Sequence, residues 1–122
     1  MRIWGEDNFA NEGARDYLAM LAAKLVATVN EIYIDTERLE LDEDGESMFM
    51  PSVELLALLC ERYDIAPPKP SSVRQWQEKY LTVYEASITK YNPDAKFRAE
   101  RRKVIAKTFR WLMSLSESYW DS

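Results

Sequence analysis

The 122-residue chain has no histidine, one cysteine and only three glycines. Without histidine there is no imidazole general base, no Ser-His or Cys-His nucleophile pair and no His-based metal site. Cys60 alone cannot form an internal disulfide. Within the apolar run 55–60 it reads as a small buried residue of a reducing compartment. No uninterrupted apolar stretch approaches the ~20 residues of a membrane span. Arg2, Glu6 and Asp7 interrupt the N-terminus where a secretory signal would need apolar residues. These features make the cytoplasm the default location, with no membrane partner.

Apolar residues form 47% of the chain and low-complexity stretches are absent, which argues for a folded core rather than disorder. The length suits one domain over residues 1–122, able to bury roughly two-thirds of its unfolded surface. The net charge of −5 argues against a general nucleic-acid binder and would suit a basic partner.

Helical spacing dominates the pattern. Ala14, Leu18, Leu21, Leu25, Val29 and Ile32 form one stripe, and Ala19, Met20, Ala23 and Ala27 leave the other side uncharged. A helix apolar nearly all round is a buried one. Asn11–Tyr33 therefore reads as a central helix with Leu21 and Leu25 fully buried. Asn11 is placed to cap it. Pro51 opens a second helix whose core face is Val53, Leu56, Ala57, Leu59, Cys60 and Tyr63. After the stiff Pro67, Pro68 and Pro70 connector, Ser72 and Gln75 fit a capping box. The third helix carries Val73, Trp76, Tyr80, Tyr84 and Tyr91, flanked by Leu81 and Ile88. Asn92 and Pro93 stop it and restart a fourth, with Phe97, Val104, Ile105, Thr108, Trp111, Leu112, Leu115 and Tyr119 on its apolar face. The expected architecture is all-α: a compact bundle of about four main helices, roughly 12–36, 51–64, 72–91 and 93–119, around a central N-terminal helix.

The opening Trp4-Gly5, Phe9, Asn11-Glu12, Ala14 and Asp16-Tyr17 resembles a bacterial family known only as a domain of unknown function (number 4259), whose members begin W-G, F-x-N-D, then A-x-D before an aromatic residue. Glu12 stands where that pattern has Asp. The resemblance implies a fold and no activity. Trp4, Gly5, Phe9, Asn11 and Asp16 accordingly read as structural, with Trp4 and Phe9 docked on the core and Asn11 capping the first helix.

The strongest local charge is residues 35–46. Asp35, Glu37, Glu40, Asp42, Glu43, Asp44 and Glu46 face one base, Arg38, giving −6. Leu39 and Leu41 tether what otherwise reads as a solvated loop. Asp42, Asp44 and Gly45 imitate the core of a calcium loop, but its twelfth position falls on Pro51 rather than a closing Glu, so no metal is expected. Glu54 and Glu61 add two carboxylates on the outer face of helix two. Replacing Asp42, Glu43 and Asp44 by their amides should then leave the melting temperature nearly unchanged.

Helix four carries seven bases: Lys96, Arg98, Arg101, Arg102, Lys103, Lys107 and Arg110. Residues 1–46 hold twelve acids and four bases, so internal complementarity explains these cations without a nucleic acid. Arg101 falls within the apolar face and needs a carboxylate partner, for which Asp16 is the choice, or a stem laid along the core with its head at the edge.

No catalytic constellation or cofactor motif emerges. The reading is a non-enzymatic protein that binds another protein, most concretely a bacterial immunity protein neutralising a cognate, basic toxin through Asp35, Glu37, Glu40, Asp42, Glu43, Asp44, Glu46, Glu54 and Glu61. The alternative is a cytosolic enzyme or an anion- or small-molecule-binding helical domain. A deep pocket holding Asp16, Glu54 or Arg101 would favour that alternative.

Overall fold

In the computed structural model, which describes residues 2–91 and 94–121, four α-helices follow one another. They are α1 (Glu12–Tyr33), α2 (Met50–Tyr63), α3 (Pro70–Tyr91) and α4 (Ala95–Trp120). Between α1 and α2, Leu41–Phe49 forms a run of wide, π-type turns. The amides of Gly45 and Met50 reach carbonyls five residues back, and Glu43 breaks the run with φ −105° and ψ −127°. No β-strand forms among the described residues; Ile3 and Asn11 make one isolated antiparallel bridge. The bundle is all-α.

Each start has a local cause. Asn11 Oδ1 accepts from the Ala14 amide at 2.8 Å, satisfying a donor that the first turn leaves free. Pro51 lies in the first turn of α2, where a missing N–H costs nothing. α3 begins at Pro70, two residues before the expected Ser72 cap, for the same reason. The expected restart at Asn92 and Pro93 lies outside the described residues. The described cap of α4 is Asp94, whose Oδ1 accepts from the Phe97 amide at 2.8 Å.

α2 lies between α1 and α4. Arg15 donates to the Tyr63 carbonyl at 2.5 Å, which fixes α1 antiparallel to α2. Glu85 and Arg102 pair near one end of the α3–α4 seam. At its other end Ser116 and Trp120 donate to the carbonyls of Pro68 and Pro67, so these two helices are also antiparallel. The core centres on Phe49, Tyr80, Tyr84 and Phe109. Phe49 stacks on Tyr80 with ring centroids 5.2 Å apart and planes 2° from parallel.

α1 is covered on one side only. Leu18, Ala22, Val29 and Ile32 are buried; Leu21 and Leu25 are half-buried, not fully buried as their spacing suggested. Ala19, Met20, Ala23 and Ala27 face solvent. Three of those four are alanines, which favour helix and expose little apolar area, so an uncharged face here does not require a cover. On α4 the buried stripe is Ile105, Thr108, Phe109, Leu112 and Ser116. It is rotated from the expected face, leaving Phe97, Val104 and Tyr119 exposed. Tyr91 is likewise exposed, at the end of α3.

Cys60 is buried, and burial pushes its thiol up to about 11. Burial, then Glu46, also raises the Tyr80 phenol. The unfolded chain would release these protons first, so folding holds them and the unfolded state binds fewer at high pH. The resulting stability is complete below about pH 9, where the unfolded thiol begins to ionise, and for Cys60 is lost as pH rises toward about 11. Alkylation of Cys60 at pH 8 should therefore be far slower in the native protein than in urea, and urea midpoints should fall above pH 9. Equal alkylation rates in both states would place the thiol outside the core.

Candidate functional site

The wide turn brings the acidic stretch onto the open ends of α3 and α4, and among the described residues this end of the bundle holds most of the hydrogen bonds between side chains. Leu39 and Phe49 are buried at either side of the turn and fix it to the core. Gly45 is buried between them, and a Cβ built on it would lie 2.0 Å from the Leu39 carbonyl oxygen. The glycine of the calcium-like motif is thus required by backbone contact. Among the described residues no cluster of three acids or cysteines could hold a metal ion.

From this turn Glu46 reaches inward. Its carboxylate accepts from the Tyr80 hydroxyl at 2.8 Å and pairs with Arg101, Nη2 to Oε2 at 2.8 Å and Nε to Oε1 at 3.4 Å. Arg101 therefore has a carboxylate partner, but it is Glu46, not Asp16. Asp16 stays exposed on the outer side of α1. The pair separates two concavities. One, of about 270 Å³, is walled by Leu41, Tyr84, Ile88, Tyr91 and Phe97, with Asp42, Glu46 and Arg101 as its charged groups. The other, of about 440 Å³, lies between α2 and α4 and is bounded by Met50, Pro51, Glu54, Val104 and Thr108. Tyr84 is 2% exposed, and its hydroxyl has no hydrogen-bond partner.

The nine acids expected to face a partner divide. Asp44 accepts from Arg38 Nε at 2.8 Å, and Glu46 is bound as above. Glu61 accepts from the Trp111 indole at 2.6 Å, and Asp35 accepts from the Arg38 amide. The stretch 35–46 is thus a folded, pinned segment rather than a solvated loop, with Glu46 tying it to α3 and α4 and Asp44 tying Arg38 within it. Amides at Asp42, Glu43 and Asp44 together would not be neutral, because Asp44 holds Arg38. Asp35, Glu37, Asp42, Glu43 and Glu54 are exposed and Glu40 is half-buried. Among the described residues none of these six forms an ion pair. Asp42 and Glu54 border different concavities on either side of the Glu46–Arg101 pair. In the turn and α2, Met48, Leu55 and Leu58 are exposed apolar residues at helical spacing.

Arg101 and Arg102 find Glu46 and Glu85, and Lys103 lies 4.0 Å from Glu100 in its own helix. Only Glu46 belongs to the acidic first third of the chain, so internal complementarity accounts for one of these seven bases.

At the opposite end, the Trp4 amide donates to the Ala10 carbonyl at 2.7 Å and the Glu12 amide to that of Arg2 at 2.8 Å. The lead-in folds back on itself through its backbone. Trp4 is consequently 56% exposed, not docked on the core, while Phe9 packs on Tyr63 with centroids 4.9 Å apart. Gly5 has room for a side chain, its nearest neighbour being the Ala10 Cβ at 3.6 Å.

Sequence spacing gave no sign of the Glu46–Tyr80–Arg101 group, because its members lie 34 and 55 residues from Glu46. The one available signal was Arg101 on an apolar face. No family model, curated protein or solved structure matches this chain. Among the described residues no helix is long and apolar enough to cross a membrane.

Proposed function

We propose that this protein acts without catalysis, by binding a basic protein partner through the outward acids of the wide turn and the outer face of α2. The observation that carries this reading is that Glu37, Glu40, Glu43 and Glu54 have no ion-pair partner among the described residues, while Met48, Leu55 and Leu58 are exposed apolar residues of the turn and α2. Polar charge around a small apolar patch is the composition of a protein-binding surface. Acids left unpaired on a pinned segment repel one another and add little to folding, whereas they accelerate encounter with a basic partner. In its most specific form this is an immunity protein masking a basic toxin. The resemblance of residues 4–17 to a bacterial family is compatible with that reading and adds no activity to it.

Immobilised protein exposed to a lysate of its source cell tests the reading. Wild type should retain a basic protein at about 50 mM salt and release it as salt rises. Glu37→Gln, Glu40→Gln and Glu43→Gln together should abolish retention without lowering the melting temperature. Equal retention by the triple variant would contradict the assignment.

A further inference from the structure

The cavity beside the Glu46–Arg101 pair shares Asp42 with the proposed partner surface and adds aromatic walls and a buried hydroxyl that this surface does not use. Its charged groups are Asp42, Glu46 and Arg101. The last two neutralise one another, since Arg101 directs Nε and Nη2 at Glu46, which also accepts from Tyr80. Asp42 remains, with no cation in ion-pair range among the described residues. The Tyr91 phenol registers the same negative field. Partial desolvation of this otherwise exposed side chain raises it first, then a hydrogen bond to Asp42 and the charges of Asp42, Glu40 and Glu43.

The remaining walls are apolar or aromatic: Leu41, Ile88, Tyr91 and Phe97. Among them is Tyr84, whose buried hydroxyl has no hydrogen-bond partner in the protein. A hydroxyl has one proton to give and two lone pairs, and burying one without a partner is costly. An aromatic, largely apolar cavity with a few polar groups and one unmet bond has the composition of a small-ligand site. We propose that this cavity binds a small organic ammonium ion with an apolar body, the cation drawn by Asp42 and donating to the Tyr84 hydroxyl while the body packs on Phe97, Tyr91 and Ile88. The ring faces favour a cation as well. A carboxylate finds only the occupied Arg101 and an excess of negative charge. An alcohol of the same shape lacks the attraction to Asp42.

Calorimetric titration of the full chain with 2-phenylethylamine, 2-phenylethanol and 3-phenylpropanoate tests the site. The amine should bind about tenfold tighter than the alcohol, and the carboxylate should not bind. Asp42→Asn should remove the preference for the amine. Tyr84→Phe should weaken amine binding about fivefold and at the same time raise the melting temperature, because it deletes an unpaired buried hydroxyl. A purely structural role for Tyr84 would not produce opposite changes in binding and stability. The site is refuted if no probe saturates at millimolar concentration, so that the cavity holds water alone. It also fails if the alcohol or carboxylate matches the amine, or if both variants bind as wild type. Glu37, Glu40 and Glu43 do not line this cavity, so failure here leaves the partner surface standing, and the reverse.

Discussion

Glu46→Ala should lower the unfolding free energy by about 2–4 kcal/mol, with an unchanged dependence on urea concentration. The change removes the acceptor of the buried Tyr80 hydroxyl and the counter-charge of Arg101 together. The Arg101 side chain is 21% exposed and that of Glu46 31%, so solvent recovers part of the loss and the lower half of the range applies if Arg101 can swing outward. Glu46→Gln keeps an acceptor for Tyr80 and should cost less. Arg101→Met in the Glu46→Ala background should restore part of the loss, because the stranded cation is then gone. If Glu46→Ala melts with the wild type, the carboxylate is not holding α3 and α4 to the wide turn.

Gly45→Ala should be at least as damaging, about 3 kcal/mol or more, or should prevent folding. The new methyl group would lie 2.0 Å from the Leu39 carbonyl oxygen and 2.8 Å from its carbon. Those are backbone atoms and cannot rotate away. Leu39 is itself buried and its amide bonds to the Asp35 carbonyl at 3.2 Å, so relief requires shifting the whole 35–45 segment. Circular dichroism melting would report the loss. Wild-type stability in Gly45→Ala would mean that Leu41–Phe49 is free to adopt another path.

The helices were readable in the sequence because their signals are local. Asn11 and Pro51 mark starts by satisfying or not needing an N–H, and Val53, Leu56, Ala57 and Cys60 keep the 3.6-residue period of a one-sided face. Where the period is diluted, the reading drifts. On α4 alternating apolar and basic residues permit two nearby faces, and Phe109, which fills the centre, lies on the one that excludes Phe97 and Val104. On α1, alanines make an exposed face look apolar. The wide turn was unreadable for a different reason. Its acids mimic a solvated loop, while its order comes from Phe49 stacking on Tyr80 and from Glu46 meeting Arg101, both contacts across more than thirty residues. Choosing Asp16 for Arg101 failed because no local rule specifies which distant carboxylate arrives. The cavity at Tyr84 has the same origin, since its walls come from the turn, α3 and α4 together.

The acids of residues 35–46 are therefore of two kinds, those bonded within the fold, such as Glu46 and Asp44, and others without an ion pair among the described residues, which the proposed function assigns to a partner. One set of urea titrations separates them. The outer variant Glu37→Gln/Glu40→Gln/Glu43→Gln should unfold within about 0.5 kcal/mol of wild type, or slightly later as like charges are removed. The inner variant Glu46→Ala should lose about 2 kcal/mol or more. Equal losses in the two variants, or a larger loss in the outer one, would contradict the division and leave no surplus acids for a partner.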